Sequence, residues 1–248
     1  MAFQTVFKRY ELKYLLTRAQ KERILAAMEP YMALDKYGRT TIRNIYFDTD
    51  SYRLIRRSIE KPAYKEKLRI RSYKKADAES TVFVELKKKF DGVVYKRRLP
   101  LPEQDAMRWV TGLAPCPVQS QIAREIDYFL QFYGRLSPAV FLSYEREAYF
   151  EKNGGDFRVT FDDNILCRRE KLSLCQEVGG NSILDGELVL MEIKCSGGIP
   201  LWMVHTLSRE KIYKTPFSKY GTAYRDLIFP SLPKFTFSPP KKEDLIHA

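Results

Sequence analysis

The chain has two histidines, His205 and His247, too few for a histidine-built zinc site. His205 falls in a helical stretch and reads as structural; His247 falls near the C-terminus. Its four cysteines, Cys116, Cys167, Cys175 and Cys195, form no CxxC pair and set no disulfide framework. They read as core or surface fillers in a reducing, cytoplasmic setting. No apolar run approaches the roughly 18 residues of a membrane helix, so a membrane contact would come through a membrane-protein partner. The opening MAFQTVFKRY lacks the apolar stretch of a signal peptide. Acidic residues are in deficit, 31 against 43 lysines and arginines, which gives a net charge of +12. That field attracts polyanions, but charge alone does not choose among nucleic acid, nucleotides, phosphates and anionic membranes. Basic residues in a linear run, with stacking aromatics between them, would mark a nucleic-acid binder; neither is evident, so no nucleic-acid partner is expected.

What is present is an alternating pattern of charge. In KEKLRIRSY, Lys65 to Tyr73, a strand puts Lys67, Arg69 and Arg71 on one face and Leu68 and Ile70 on the other. The same arrangement recurs as Glu11/Lys13, Glu85/Lys87, Lys96/Arg98 and Glu192/Lys194. Asp91-Gly92 predicts a tight hairpin between Val82–Lys89 and Val93–Leu99. Further strands are expected at Phe7–Leu16, Thr41–Asp48, Val140–Phe150, Asp156–Asp162 and Glu187–Cys195. Thr17 with Gln20 signals a helix start, and Gln119–Tyr133 carries a helical stripe of Ile122, Ile126, Phe129 and Tyr133. Pro200–Lys211 and Ser218–Phe229 read as closing helices. A chain of 248 residues, 44% hydrophobic, can bury one large core.

Charged faces on single strands are ordinarily solvated. As a set they also fit a closed barrel with a basic interior and helices outside. Two same-face arginines about 7 Å apart repel by roughly 2 kcal/mol at an effective dielectric of about 20, so such an interior needs anions or carboxylates.

RYELKY (9–14), IYFDT (45–49), KLRIRSY (67–73), VELKKK (84–89), VYKRR (94–98), YEREAY (144–149), FRVTFD (157–162), MEIKC (191–195) and FSKY (217–220) together resemble the vacuolar transporter chaperone (VTC) polyphosphate polymerase domain, a triphosphate tunnel metalloenzyme. The resemblance implies an α+β fold: an antiparallel eight-stranded β-barrel, the triphosphate tunnel, with helices packed around the outside over residues 1–229. Residues 230–248 would be a proline- and lysine-rich tail. It implies an ATP-dependent phosphotransferase that moves the γ-phosphate onto inorganic polyphosphate, using Mn2+ or Mg2+. Lys13, Arg69, Arg71, Lys87, Lys96, Arg146, Arg158, Lys194 and Lys219 would hold ATP and polyphosphate. Arg69, Arg71, Lys87, Arg146, Arg158 and Lys219 would be the catalytic members, and Glu192 the metal ligand.

Read from its residue type alone, Glu192 is equally a salt-bridge partner, and Lys219 a solvated lysine at a helix start. The superfamily's Glu-x-Glu-x-Lys becomes Arg9-x-Glu11-x-Lys13 here, which departs from a two-metal hydrolytic site. Two alternatives stand beside the polymerase: a tripolyphosphate or nucleoside-triphosphate hydrolase on the same fold, and a non-catalytic polyanion-binding module.

Overall fold

The computed structural model describes residues 6–232, with side chains from Tyr10 onward. Of the expected tail, residues 233–248 lie outside the described residues, as does the side chain of Arg9. β1 (Val6–Thr17) leads into α1 (Arg18–Met28) through the expected capping box, in which Thr17 accepts from the Gln20 backbone and the Gln20 side chain returns the contact. There follow β2 (Met32–Leu34), β3 (Thr40–Asp48), α2 (Arg53–Ile59), β4 (Tyr64–Ser72), β5 (Thr81–Phe90) and β6 (Val93–Pro102). The β5–β6 turn is the predicted hairpin. Asp91 and Gly92 both take positive φ, 43° and 83°, the backbone that matches the twist of the flanking strands. The chain continues through α3 (Glu103–Val110), α4 (Gln121–Tyr133), β7 (Ser137–Glu151), β8 (Arg158–Arg168), β9 (Asn181–Ser182), β10 (Leu188–Cys195), α5 (Leu201–Arg209) and α6 (Lys219–Ala223).

The strands form one antiparallel sheet in the order β2-β7-β3-β4-β5-β6-β1-β10-β8-β9, and β7 also pairs with β8. The expectation of eight strands therefore needs correction. The sheet has ten strands and is not as a whole one closed barrel: the β7–β8 pairing joins the ends of the eight-strand run β7-β3-β4-β5-β6-β1-β10-β8, while β2 and β9 are short additions outside that ring. These two strands are three and two residues long, too short for any alternation to announce them.

Apolar residues opposite the charged faces supply the core. Leu68, Ile70, Val84 and Leu86 pack with Trp109, Ile126 and Phe129 of α3 and α4. Met191, Ile193 and Phe161 pack with Ile24 and Met28 of α1 and with Met203 and Leu207 of α5. α6 departs from the expected outer shell. Its Tyr220 and Ala223 pack with Ile42, Tyr46 and Leu142, and Ile42 and Tyr46 also line the cavity that the charged faces enclose. A helix has thus been placed on the basic side of the sheet.

Candidate functional site

The charged faces surround a cavity of about 1290 Å³. Its lining includes sixteen lysines and arginines and four carboxylates. Strand register explains the grouping. Lys67 of β4 stands opposite Lys87 of β5, which stands opposite Lys96 of β6. Like charges in directly opposed positions destabilise a sheet, so this row costs free energy unless anions meet it. One step along, Arg69, Glu85 and Arg98 form the neighbouring row. On the other wall Lys13, Glu192 and Thr160 are in register, beside Lys194 and Arg158.

Buried carboxylates stand behind the cations. Glu85 is fully buried and pairs with Arg69 at 2.7 Å, Arg98 at 2.5 Å, Lys96 at 3.5 Å and Arg71 at 3.9 Å. Burial opposes its charge, yet Arg71, Arg69, Lys96 and Arg98 outweigh that and hold the carboxyl well below its usual range. Asp162 does the same for Arg146 and Lys219, each at 2.5 Å. Glu192 lies within 3.0 to 3.5 Å of Lys13, Arg146, Lys194 and Lys219. Its carboxyl is also held well below the normal range, burial being overcome by those four cations.

The lysines divide by partner. Burial lowers the affinity of Lys219 for its proton, but Asp162 and Glu192 more than reverse this. Lys96 falls to about 6, because burial and the neighbouring arginines outweigh Glu85. Lys194 falls to about 7 for the same reason, burial exceeding the pull of Glu192. Lys67 donates to the Ser218 hydroxyl at 3.1 Å and faces Lys13, Lys87, Lys65 and Arg69. Burial and those like charges bring it well below the ordinary lysine range.

All ten residues expected from the sequence, Lys13, Arg69, Arg71, Lys87, Lys96, Arg146, Arg158, Glu192, Lys194 and Lys219, line this one cavity. The sequence reading passed over others. Lys67 shares the face of Arg69 and was detectable by alternation alone. Lys89, at the end of the expected Val82–Lys89 strand, also lines the cavity. Glu85 and Asp162 sat on the correct faces, but their task as counter-ions needs the register. Tyr46 and Tyr144 accept from Arg69 and Arg71 at 2.8 and 3.0 Å, contacts that no spacing signals. Aromatic rings do stand among the cations, contrary to expectation: Tyr37, Tyr73, Phe83 and Phe150 line the cavity.

A metal centre made of protein groups alone does not fit. Among the described residues no three histidine, cysteine, aspartate or glutamate side chains stand together, and both oxygens of Glu192 are already in ion pairs. The oxygen-only chemistry does fit a hard divalent cation that takes one carboxylate from the protein and its remaining ligands from phosphate and water.

Among solved structures, the chain is similar to a candidate adenylate cyclase from Bacillus halodurans, with 16% identity, a TM-score of 0.54, and coverage of 90% of this chain and 100% of that one. It also matches a candidate adenylate cyclase from Vibrio parahaemolyticus, with 10% identity, TM-score 0.44 and coverage of 89% and 98%. A Mimivirus capping enzyme triphosphatase matches with 10% identity, TM-score 0.36 and coverage of 82% and 86%. At 16% identity the Bacillus likeness speaks for the fold alone. No curated protein matches the chain. The VTC domain profile matches residues 8–228, a span that holds all the expected cavity residues from Lys13 to Lys219 and all of the described strands but the first two residues of β1, and the chain accordingly belongs to the VTC domain family.

Proposed function

We propose that this protein is a polyphosphate polymerase that transfers the γ-phosphate of ATP onto a growing inorganic polyphosphate chain inside the basic cavity. The observation that carries the reading is the row Lys67, Lys87 and Lys96, three opposed lysines facing a space large enough for a phosphate chain. Family membership supports it. In such a transfer the attacking group is a terminal phosphate oxygen, already anionic, so the protein's task is to position it and to stabilise charge. Among the described residues no histidine lines the cavity. The guanidinium groups of Arg69 and Arg146 are held by Glu85 and Asp162, which fixes these cations before any anion arrives. Arg71 and Arg158 add further N–H donors, while Lys13, Lys87, Lys96, Lys194 and Lys219 act as point charges on the phosphates.

Glu192 would hold Mn2+ or Mg2+ together with phosphate oxygens, and the cation would supply charge neutralisation across the bridging phosphates. On this reading residues 1–229 form the catalytic unit and 230–248 an appended tail. The setting is cytoplasmic, with any membrane link made through a partner; among the described residues no helix is long and apolar enough to cross a membrane.

The test is to incubate purified protein with ATP and Mn2+ and to separate the products on a gel that resolves phosphate chains. Chains that lengthen while ADP accumulates support the polymerase. Free orthophosphate without chains would replace it with a hydrolase, and tight triphosphate binding without turnover would replace it with a binding module. Glu192→Gln is expected to abolish turnover while triphosphate binding remains, measured by calorimetry on the same preparation. Unchanged turnover would remove Glu192 from the metal site.

A further inference from the structure

Among the cavity aromatics, most have no free face or no fixed position. Tyr46 and Tyr220 are buried and stack on each other with ring centres 4.8 Å apart. Tyr144 is buried, accepts from Arg71, and lies against Arg146 and Lys219. Phe150 is covered by the Arg158 guanidinium at 4.0 Å. Tyr37 is 68% exposed, and its ring meets the ammonium of the adjacent Lys36. Tyr73 differs from all of these. Its hydroxyl accepts from Arg98 Nη2 at 2.7 Å and its ring meets Phe83 edge-on at 5.6 Å and 77°. Phe83 is itself buried beneath the Arg98 guanidinium at 4.5 Å. The Arg98 guanidinium also stands over the Tyr73 ring, 5.7 Å from its centre, so the ring is held by Arg98 and Phe83 and lines the cavity with 42% of the residue's surface open.

We propose that Tyr73 is the stacking platform for the base of the nucleoside triphosphate. The inference rests on the reading of the cavity as a triphosphate site and adds a base subsite to it. Tyr73 directly follows β4 and continues the alternation of Arg69 and Arg71, with about 7 Å between successive same-face positions. A base carried one ribose beyond phosphates held at Arg71 and Arg98 reaches the next position in that series. A flat ring offers its π-face to any base and reads no base edge, so the subsite accepts purines and pyrimidines alike.

The test compares ATP, CTP and inorganic tripolyphosphate, which has no base, by calorimetry in EDTA with wild type, Tyr73→Ala and Tyr73→Phe. Tyr73→Ala should weaken ATP and CTP roughly tenfold and leave tripolyphosphate unchanged, the loss expected for one stacked base. Tyr73→Phe, which keeps the ring but loses the contact to Arg98, should shift all three ligands alike and so keep the wild-type ratio of ATP and CTP affinity to that for tripolyphosphate. An equal loss of all three ligands in Tyr73→Ala would show that the ring serves only to hold Arg98 and would overturn the proposal. No loss for any ligand would overturn it as well, with the triphosphate reading left standing. A wild type that binds none of the three would remove the triphosphate reading, and the base subsite with it.

Discussion

Glu85 concentrates the electrostatics of the site in one side chain. It is fully buried and meets Arg69, Arg71, Lys96 and Arg98. Glu85→Gln leaves those cations without their shared counter-charge, and breaking a buried pair from one side typically costs about 3–5 kcal/mol. The variant should show that loss in urea denaturation, and tripolyphosphate should restore part of it by replacing the missing anion. The lysines make a separate prediction. Lys96 sits near 6 in the folded chain against an ordinary 10.5. Its charge therefore penalises the folded state fully below about pH 6, and the penalty is relieved as pH rises from there toward 10.5. A bound triphosphate supplies the opposite charge and draws a proton back onto Lys96. Binding at pH 8 should take up protons, seen as a calorimetric heat that changes with the ionisation enthalpy of the buffer. A heat independent of buffer would contradict this. Which residues face the cavity was legible from alternation, as Arg69, Lys87 and Glu192 attest. Which of them pair was not, because Glu85 reaches Arg98 and Arg69 only through two strand registers.

At the scale of elements, α6 is tied down by a residue far away in sequence. Asp48, at the end of β3, accepts from the Leu54 and Ile55 backbone N–H groups at the start of α2 and from the Tyr220 hydroxyl of α6. One carboxylate thus joins three elements and sets where Lys219, next to Tyr220, meets the cavity. Asp48→Ala strands three backbone donors, Thr49, Leu54 and Ile55, and a buried hydroxyl, at a cost of about 3 kcal/mol. Its midpoint in urea should fall, and KM for the nucleotide should rise as Lys219 loses its place. An unchanged KM would confine Asp48 to stability alone. The IYFDT and FSKY segments were both singled out in the sequence, but the contact that unites them spans 172 positions and leaves no local trace. The long strands were legible because each carries several alternations. α6 was recognised as a helix but assigned to the outer shell, because its apolar residues, Tyr220 and Ala223, look the same whichever side of a sheet they bury against.

For the whole molecule, the net charge of +12 and a cavity lined by sixteen lysines and arginines against four carboxylates leave the empty protein with net repulsion that its buried counter-ions offset only in part. A polyanion that binds only the folded chain stabilises it by mass action, about 2.7 kcal/mol at a hundredfold excess over Kd. Tripolyphosphate should therefore raise Tm in a thermal melt, more than sodium chloride of equal ionic strength. An equal rise would assign the effect to general screening. Strand ends far apart in sequence also meet: β1 pairs with β6 along one part of its length and with β10 along the rest. The sheet's outermost members are β2 and β9, of three and two residues. Unpaired backbone along an exposed border is what lets one β-rich chain template the next into fibres. Among the described residues the β7–β8 pairing joins the ends of the eight long strands and the two strands outside that ring are three and two residues long, so the sheet presents little unpaired backbone to a second copy.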